Sequence, residues 1–218
     1  LNPILLFIVL LVVFSTRFGS EISNYPFYLI IGIVLYNFFQ FTTTFAISNM
    51  DRARHLIKSV KFPLESLVFS GIVVSVFSHF FEIIVLIIFS LFFGVSLISF
   101  VYYLPLLFFF CIFIYGISLI LAGFYVYFID LEHIWNFFTR ILFFVTPIFY
   151  NIEGMTKTFY LNLFNPLFYF VTAGREIIIY NRLPELWILE IIVFGSLIVL
   201  ILGLIIFGKL KYKFAERL

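Results

Sequence analysis

Met50-Asp51-Arg52-Ala53-Arg54-His55-Leu56-Ile57-Lys58-Ser59-Val60-Lys61-Phe62-Pro63-Leu64-Glu65 is a charged island between two long apolar runs, and its reading decides how the chain is threaded. As a helix it places Ala53, Leu56, Ile57 and Val60 on one stripe at i, i+3, i+4 and i+7, with Arg54, Lys58 and Lys61 on the opposite side. Asp51 is positioned to cap the first turn. Pro63 disfavours helix at Phe62 and so ends the element. A short amphipathic helix with a basic wet face belongs on the cytoplasmic surface of a membrane, because Lys and Arg near span ends are retained there. Its apolar stripe offers a soluble partner a docking ridge; the plainer reading is a topology determinant held to anionic lipid.

Composition agrees with a membrane setting. Of 218 residues, 64% are hydrophobic and 11% charged, with mean hydropathy +1.22. A water-soluble chain of this size needs far more charge to cover its exterior, whereas lipid tolerates an apolar one. The single cysteine, Cys111, lies in an apolar run, which excludes a disulfide framework or a thiolate metal cluster. His55, His79 and His133 fall in separate segments without ligand spacing, so no metal site is expected.

Outward from the island, the apolar runs mark six spans at residues 1–16, 27–49, 67–93, 102–128, 134–150 and 186–207. The first is short for a bilayer crossing and reads as an incomplete span. In the second, Asn37, Gln40 and Thr42 to Thr44 should face protein rather than lipid. The third opens with Ser66, Ser70, Gly71 and Ser75, a small-residue row that lets helices approach closely, and the fourth carries Gly116, Ser118, Ala122 and Gly123. Asp130, Glu132 and His133 mark a second aqueous loop, and Thr146-Pro147 interrupts the fifth span near its end. Residues 151–184 are too polar and broken for a simple span, and short re-entrant or interfacial helices fit them better.

With the island inside, Arg52, Arg54, Lys58, Lys61, Arg140, Lys209, Lys211, Lys213 and Arg217 are cytoplasmic, and Arg17, Lys157, Arg175 and Arg182 are outside. Nine cations against four is the bias that positive retention produces, and it puts both termini in the cytoplasm.

Inside the apolar spans the sharpest anomaly is His79 with Glu82, three residues apart on one helical face. A charge near a span centre costs about 2.5–3.5 kcal/mol on insertion scales. The pair reads either as the polar lining of a substrate path or proton-linked site, or as a hydrogen-bonded packing device. Gly203 to Leu210 nearly spells a phosphate-binding loop, but Leu210 stands where Ser or Thr would hold magnesium and no strand precedes it. Some of the 35 phenylalanines and 13 tyrosines could stack on sugars; most belong to lipid or helix contacts, and Tyr150, Tyr160, Tyr169 and Tyr180 suit an interfacial belt.

Three stretches carry a family likeness. Residues 28–39 followed by 55–65, then Asp130-Leu131-Glu132-His133-Ile134 running to Phe144-Val145-Thr146-Pro147-Ile148-Phe149-Tyr150, then Asn165-Pro166-Leu167-Phe168-Tyr169 running to Arg175-Glu176 and Tyr180 to Pro184, resemble the membrane subunit of ABC-2 type exporters. The nearest branch handles O-antigen, teichoic acid and capsular polysaccharides. The resemblance implies an all-α integral membrane protein in which residues 1–218 form one transmembrane domain of six helices. It makes 50–66 the cytoplasmic coupling loop and 151–184 the extracytoplasmic gate region. It assigns ATPase coupling to Asp51, Arg52, Arg54, His55, Leu56, Ile57, Lys58, Val60, Lys61, Phe62 and Pro63, and an outer gate to Pro147, Asn165, Pro166, Arg175 and Glu176. The implied partners are an ABC nucleotide-binding ATPase, a second copy of the chain, the bilayer of a prokaryotic cytoplasmic membrane and a lipid-linked glycan, and nucleic acid is not among them. ATP and magnesium belong to the ATPase, with no cofactor and no catalytic residue on this chain. The sequence departs from the family pattern in lacking the amphipathic helix before the first span, in Leu64 where a basic residue is usual, and in Glu82 where an uncharged one is common. Two other classes remain open on residues alone: a polytopic enzyme acting on lipid-linked sugars through Glu82, Glu153 or Glu176, and a proton-coupled secondary transporter using His79 and Glu82.

Overall fold

The computed structural model describes residues 2–18, 22, 24–53, 63–152, 156–211 and 214. Apolar runs with their backbone groups satisfied internally give helices throughout, and the described residues contain eight: α1 (Asn2–Phe18), α2 (Tyr25–Arg52), α3 (Glu65–Phe93), α4 (Ser99–Tyr125), α5 (Leu131–Val145), α6 (Thr156–Leu163), α7 (Pro166–Ile178) and α8 (Leu186–Leu210). Four of them, α2, α3, α4 and α8, are long and apolar enough to cross a membrane, so the chain is a multi-pass membrane protein. Helices α1 and α5 have 17 and 15 residues. At 1.5 Å per residue α5 rises roughly 22 Å, less than the hydrocarbon thickness of about 30 Å.

Helix α2 is the hub. Phe27, Leu29, Ile31 and Ile33 in its N-terminal half are fully buried, and α1, α3, α4, α5 and α7 all pack on it. Helices α3 and α8 instead expose apolar faces, such as Phe77, Phe80 and Phe92 or Phe194, Ile198 and Ile201, the surface a lipid solvent permits. Helices α4 and α8 meet backbone to backbone. A Cβ on Gly116 would lie 2.7 Å from the Val199 carbonyl, and one on Gly203 would lie 2.5 Å from the Gly116 carbonyl, so the two backbones touch there.

Several sequence expectations are corrected. Asp51 does not cap a new helix: α2 continues through Arg52, and Ala53 is its C-cap, because Met50 and Ala53 are still buried in the packed end of the bundle. The fifth helix ends at Val145 and not at 150. Pro147 forces Thr146 into extended backbone (φ −69°, ψ 132°), and the Thr146 hydroxyl caps back onto the Leu142 carbonyl. Glu132 and His133 are not loop residues but the first turn of α5. In the small-residue row of α3, Gly71 and Ser75 are buried while Ser66 and Ser70 are exposed. Residues 203–210, the near-match to a phosphate loop, are continuous α8 helix.

Candidate functional site

Tyr36, Gln40, Thr43, Thr44 and Ser48 of α2 meet protein, as polar groups in a bilayer require, along a hydrogen-bonded seam with α5, whereas Asn37 lines an open cleft. Tyr36 donates to the Thr139 carbonyl. The Gln40 amide reaches the Thr139 hydroxyl at 3.3 Å, the Trp135 indole donates to the Thr43 hydroxyl at 2.9 Å, and Ser48 donates to Glu132 at 2.8 Å. Thr42 and Thr43 also bond back to carbonyls one turn earlier at 2.6 and 2.8 Å, which keeps buried hydroxyls satisfied.

Beside this seam a cleft of about 970 Å³ opens between α2, α3 and the start of α5. Its α2 wall runs from Ile30 to Arg52, which on a straight helix is roughly 33 Å, comparable with the thickness of the hydrocarbon core, about 30 Å. Asn37, Gln40, Thr44 and Ser48 supply a polar strip on that wall, because spacings of three and four residues keep them on one face. Ser75, Ser78 and Glu82 supply the facing strip on α3, and Phe38, Phe41, Phe45 and Phe81 stand between the two.

His79 and Glu82 meet as the i, i+3 spacing requires. His79 is 1% exposed; its Nδ1 lies 2.8 Å from Glu82 Oε2, its Nε2 lies 3.1 Å from the Tyr103 hydroxyl, and its ring stacks on Phe38 with centroids 4.4 Å apart. Both nitrogens are therefore used. Glu82 is only half-buried and lines the cleft. The third member, Tyr103, comes from α4, and no local sequence signal pointed to it.

At the other end of the bundle, Pro147, Asn165 and Arg175 come together. Asn165 caps α7 by accepting from the Leu167 amide at 3.1 Å and donates to the Thr146 hydroxyl at 2.9 Å, with Pro166 in the first turn where its missing N–H costs nothing. Arg175 is 4% exposed. Its guanidinium donates to the carbonyls of Tyr28 (3.2 Å), Pro147 (2.7 Å) and Ile148 (2.6 Å) and lies 3.4 Å over the Tyr28 ring. Tyr25 and Tyr28 extend the same tie by donating to the carbonyls of Phe149 and Tyr150 at 2.9 and 3.1 Å. Glu176 stands apart from this cluster, in a two-bond pair with exposed Arg182.

At the end of the molecule that holds Arg52, the Tyr125 hydroxyl donates to Asp51 at 2.7 Å, the Asn49 amide donates to the Leu67 carbonyl at 3.0 Å, and Lys211 pairs with Glu65. Pro63 lies just before α3 and is exposed. Arg54, His55, Leu56, Ile57, Lys58, Val60, Lys61 and Phe62 lie outside the described residues, as does Glu153. No cluster of three or more metal-ligating side chains occurs among the described residues.

Comparison with known proteins gives one consistent result. Residues 1–179 match the family model described as ABC-2 type transporter. The chain is 28% identical over 220 residues to an O-antigen export system permease protein RfbA of Klebsiella pneumoniae, covering all of this chain and 85% of that protein, and a second protein of that name and organism matches to the same extent. A Myxococcus xanthus protein of the same name is 25% identical over 227 residues, again with all of this chain and 85% of the relative covered.

Proposed function

The chain belongs to the ABC-2 type transporter family, and we propose that it is the membrane-spanning half of an ATP-driven exporter that moves a lipid-linked polysaccharide outward across the cytoplasmic membrane. The observation that carries this reading is the full-length similarity to permeases named for O-antigen export. The chain is a transporter subunit and not an enzyme. ATP and magnesium belong to a separate ABC ATPase, and a teichoic acid or capsular glycan is the neighbouring substrate class to O-antigen.

The working unit in this reading is a homodimer with two ATPase subunits. Helix α5 supports pairing: Ile134, Phe137, Phe138, Ile141, Phe144 and Val145 form an exposed apolar stripe at i, i+3, i+4 and i+7 spacing. Orientation follows the cation bias, with both termini and residues 50–66 cytoplasmic. The coupling role of Asp51 to Pro63 and the gate role of Pro147, Asn165, Pro166, Arg175 and Glu176 belong to the same proposal. ATP closure would press the coupling segment, and α2 and α3 would carry the motion to the seam.

Reconstitution with the ATPase subunit tests it. Glycan movement should require ATP and persist without a proton gradient. Movement on a gradient alone would identify a secondary carrier, and chemical change of the lipid-linked sugar without ATP would identify an enzyme.

A further inference from the structure

Residues 147–150 follow a helix too short to cross the hydrocarbon, and they are irregular backbone. Such backbone persists at membrane depth only where protein satisfies its polar groups. Among the described residues the segment makes one backbone bond with its immediate neighbours, from the Ile148 amide to the Thr146 carbonyl at 2.7 Å. Its four consecutive carbonyls are held from outside. Arg175 of α7 donates to those of Pro147 and Ile148 at 2.7 and 2.6 Å, and Tyr25 and Tyr28 of α2 donate to those of Phe149 and Tyr150 at 2.9 and 3.1 Å. The segment takes its shape from α2 and α7 rather than from itself.

The same arginine joins those two helices to each other. Its Nε donates to the Tyr28 carbonyl at 3.2 Å, and its guanidinium carbon lies 3.4 Å from the centroid of the Tyr28 ring. One residue earlier, a Cβ on Gly174 would come within 2.9 Å of Leu35 Cδ1, so the α7 backbone is seated directly on α2. Among the described residues Arg175 has no carboxylate partner, and neutral carbonyls and a ring are what compensate a charge that is 4% exposed. This decides whether the joint can open. Parting it in each cycle would strand a guanidinium in apolar surroundings, a state far costlier than keeping its acceptors. A joint that stays closed moves with whatever moves α2. That helix is continuous from Tyr25 to Arg52, where it enters the charged island, and Tyr28 to Arg52 spans roughly 36 Å at 1.5 Å per residue.

We infer that Arg175 is a yoke: it makes residues 147–150 and α7 travel with α2 as one body, so that a displacement applied at the Arg52 end reaches the opposite end of the bundle undivided. Within the proposed gate Arg175 is a positioning residue and not a latch that releases. Glu176, its sequence neighbour, lies outside the yoke in its pair with Arg182. The inference rests on the exporter reading and adds to it the route by which motion crosses the chain.

The test uses the full permease with its ATPase in proteoliposomes, with lipid-linked polysaccharide extracted from the cell that carries the gene as the probe, in a chain whose single cysteine is removed by Cys111→Ala. Export and ATP hydrolysis are measured together. Arg175→Ala should let hydrolysis continue while export per ATP falls several-fold. The yoke is then rebuilt covalently. In the Arg175→Ala chain, Gly32→Cys and Ile148→Cys can bridge, because a Cβ at 32 lies 3.1 Å from Ile148 Cγ2 and 3.3 Å from its Cα, and the guanidinium it would strike is gone. Oxidation should return export per ATP towards the parent level, and reduction should abolish the gain. A bridged chain that exports no better than the reduced one means that the segment must shift against α2, which overturns the yoke. An Arg175→Ala loss that only tracks the amount of permease in the membrane, with export per ATP unchanged, overturns it too. Tyr25→Phe with Tyr28→Phe removes the two phenol bonds and keeps both rings. That pair should lower export per ATP by less than Arg175→Ala does; no change would count against the yoke, and the pair decides the question if Arg175→Ala does not accumulate. All of these outcomes leave the exporter standing, whereas a parent complex that moves no glycan with ATP overturns the exporter reading before any variant is compared.

Discussion

Arg175 shows how much a single side chain can hold in a membrane protein. Its planar fork reaches carbonyls from two separate segments, Tyr28 on α2 and Pro147 and Ile148 in the turn after α5, and each hydrogen bond to a charged donor is worth about 1.5–3 kcal/mol. Lysine cannot match the fork. Arg175→Ala should therefore lower the unfolding temperature of the purified protein markedly, and Arg175→Lys should recover only a minor part of the loss. Gly32 belongs to the same device: a Cβ there would sit 2.7 Å from the guanidinium Nη2 and 3.1 Å from Ile148 Cγ2. Gly32→Ala should destabilise in the wild-type background and much less in the Arg175→Ala background, and strictly additive losses in that double-mutant cycle would show that the two sites do not share one tie. Sequence reading placed Arg175 in this region through its family likeness. Its acceptors could not be read, since a carbonyl of Tyr28 or Ile148 has no side-chain signature. His79 and Glu82 were visible as a pair because their spacing is local, whereas Tyr103 arrives from another helix.

At the level of helices, the crossing of α4 and α8 illustrates packing that lipid cannot drive. Tails are as apolar as leucine, so association depends on close backbone approach, and Gly116 against Gly203 supplies it. Gly116→Val and Gly203→Val should each force the helices apart and cost about 1–3 kcal/mol, seen as a lower unfolding temperature in detergent. Gly195→Ala on the same α8 is the control. Nothing lies within 4 Å of its added Cβ, and trading helical Gly for Ala should be neutral or stabilising by up to about 1 kcal/mol. Equal losses at 195 and 203 would refute the backbone-contact account. The sequence displayed the small residues of α4 clearly, yet their partner sat in a stretch that resembled a phosphate loop. On α3 the small-residue row is split, because Ser66 and Ser70 lie on the exposed side of the helix while Gly71 and Ser75 are buried and Gly71 meets Phe45 of α2. Helix ends were least legible. Burial of Met50 and Ala53 carries α2 beyond Asp51, while Pro147 stops α5 early.

For the molecule as a whole, the two ends of the bundle are built differently, and the difference has a mechanical consequence. One end is bound through Arg175, Asn165, Tyr25 and Tyr28. The other joins four helices by side-chain bonds: Asp51 on α2 to Tyr125 on α4, and Glu65 on α3 to Lys211 just past α8. A push delivered between α2 and α3 at residues 54–62 would thus reach α4 and α8 as well. This separates docking from transmission. Leu56→Asp buries a charge in the proposed apolar ridge, so it should abolish ATPase co-purification and export while the permease still inserts. Tyr125→Phe removes the hydrogen bond to Asp51 and leaves the apolar stripe of Leu56, Ile57 and Val60 unchanged, so the ATPase should still co-purify, while export per ATP hydrolysed falls several-fold. If Leu56→Asp retains the ATPase at wild-type yield, the ridge is not the docking surface. If Tyr125→Phe instead loses the ATPase, Asp51 and Tyr125 shape the docking surface itself and the relay through α4 is wrong. Both variants presuppose a cytoplasmic island, so impermeant thiol labelling of single cysteines at 52–61 comes first: modification from the outer face of intact cells would reverse the topology, and with it the side from which any energy-supplying partner could act.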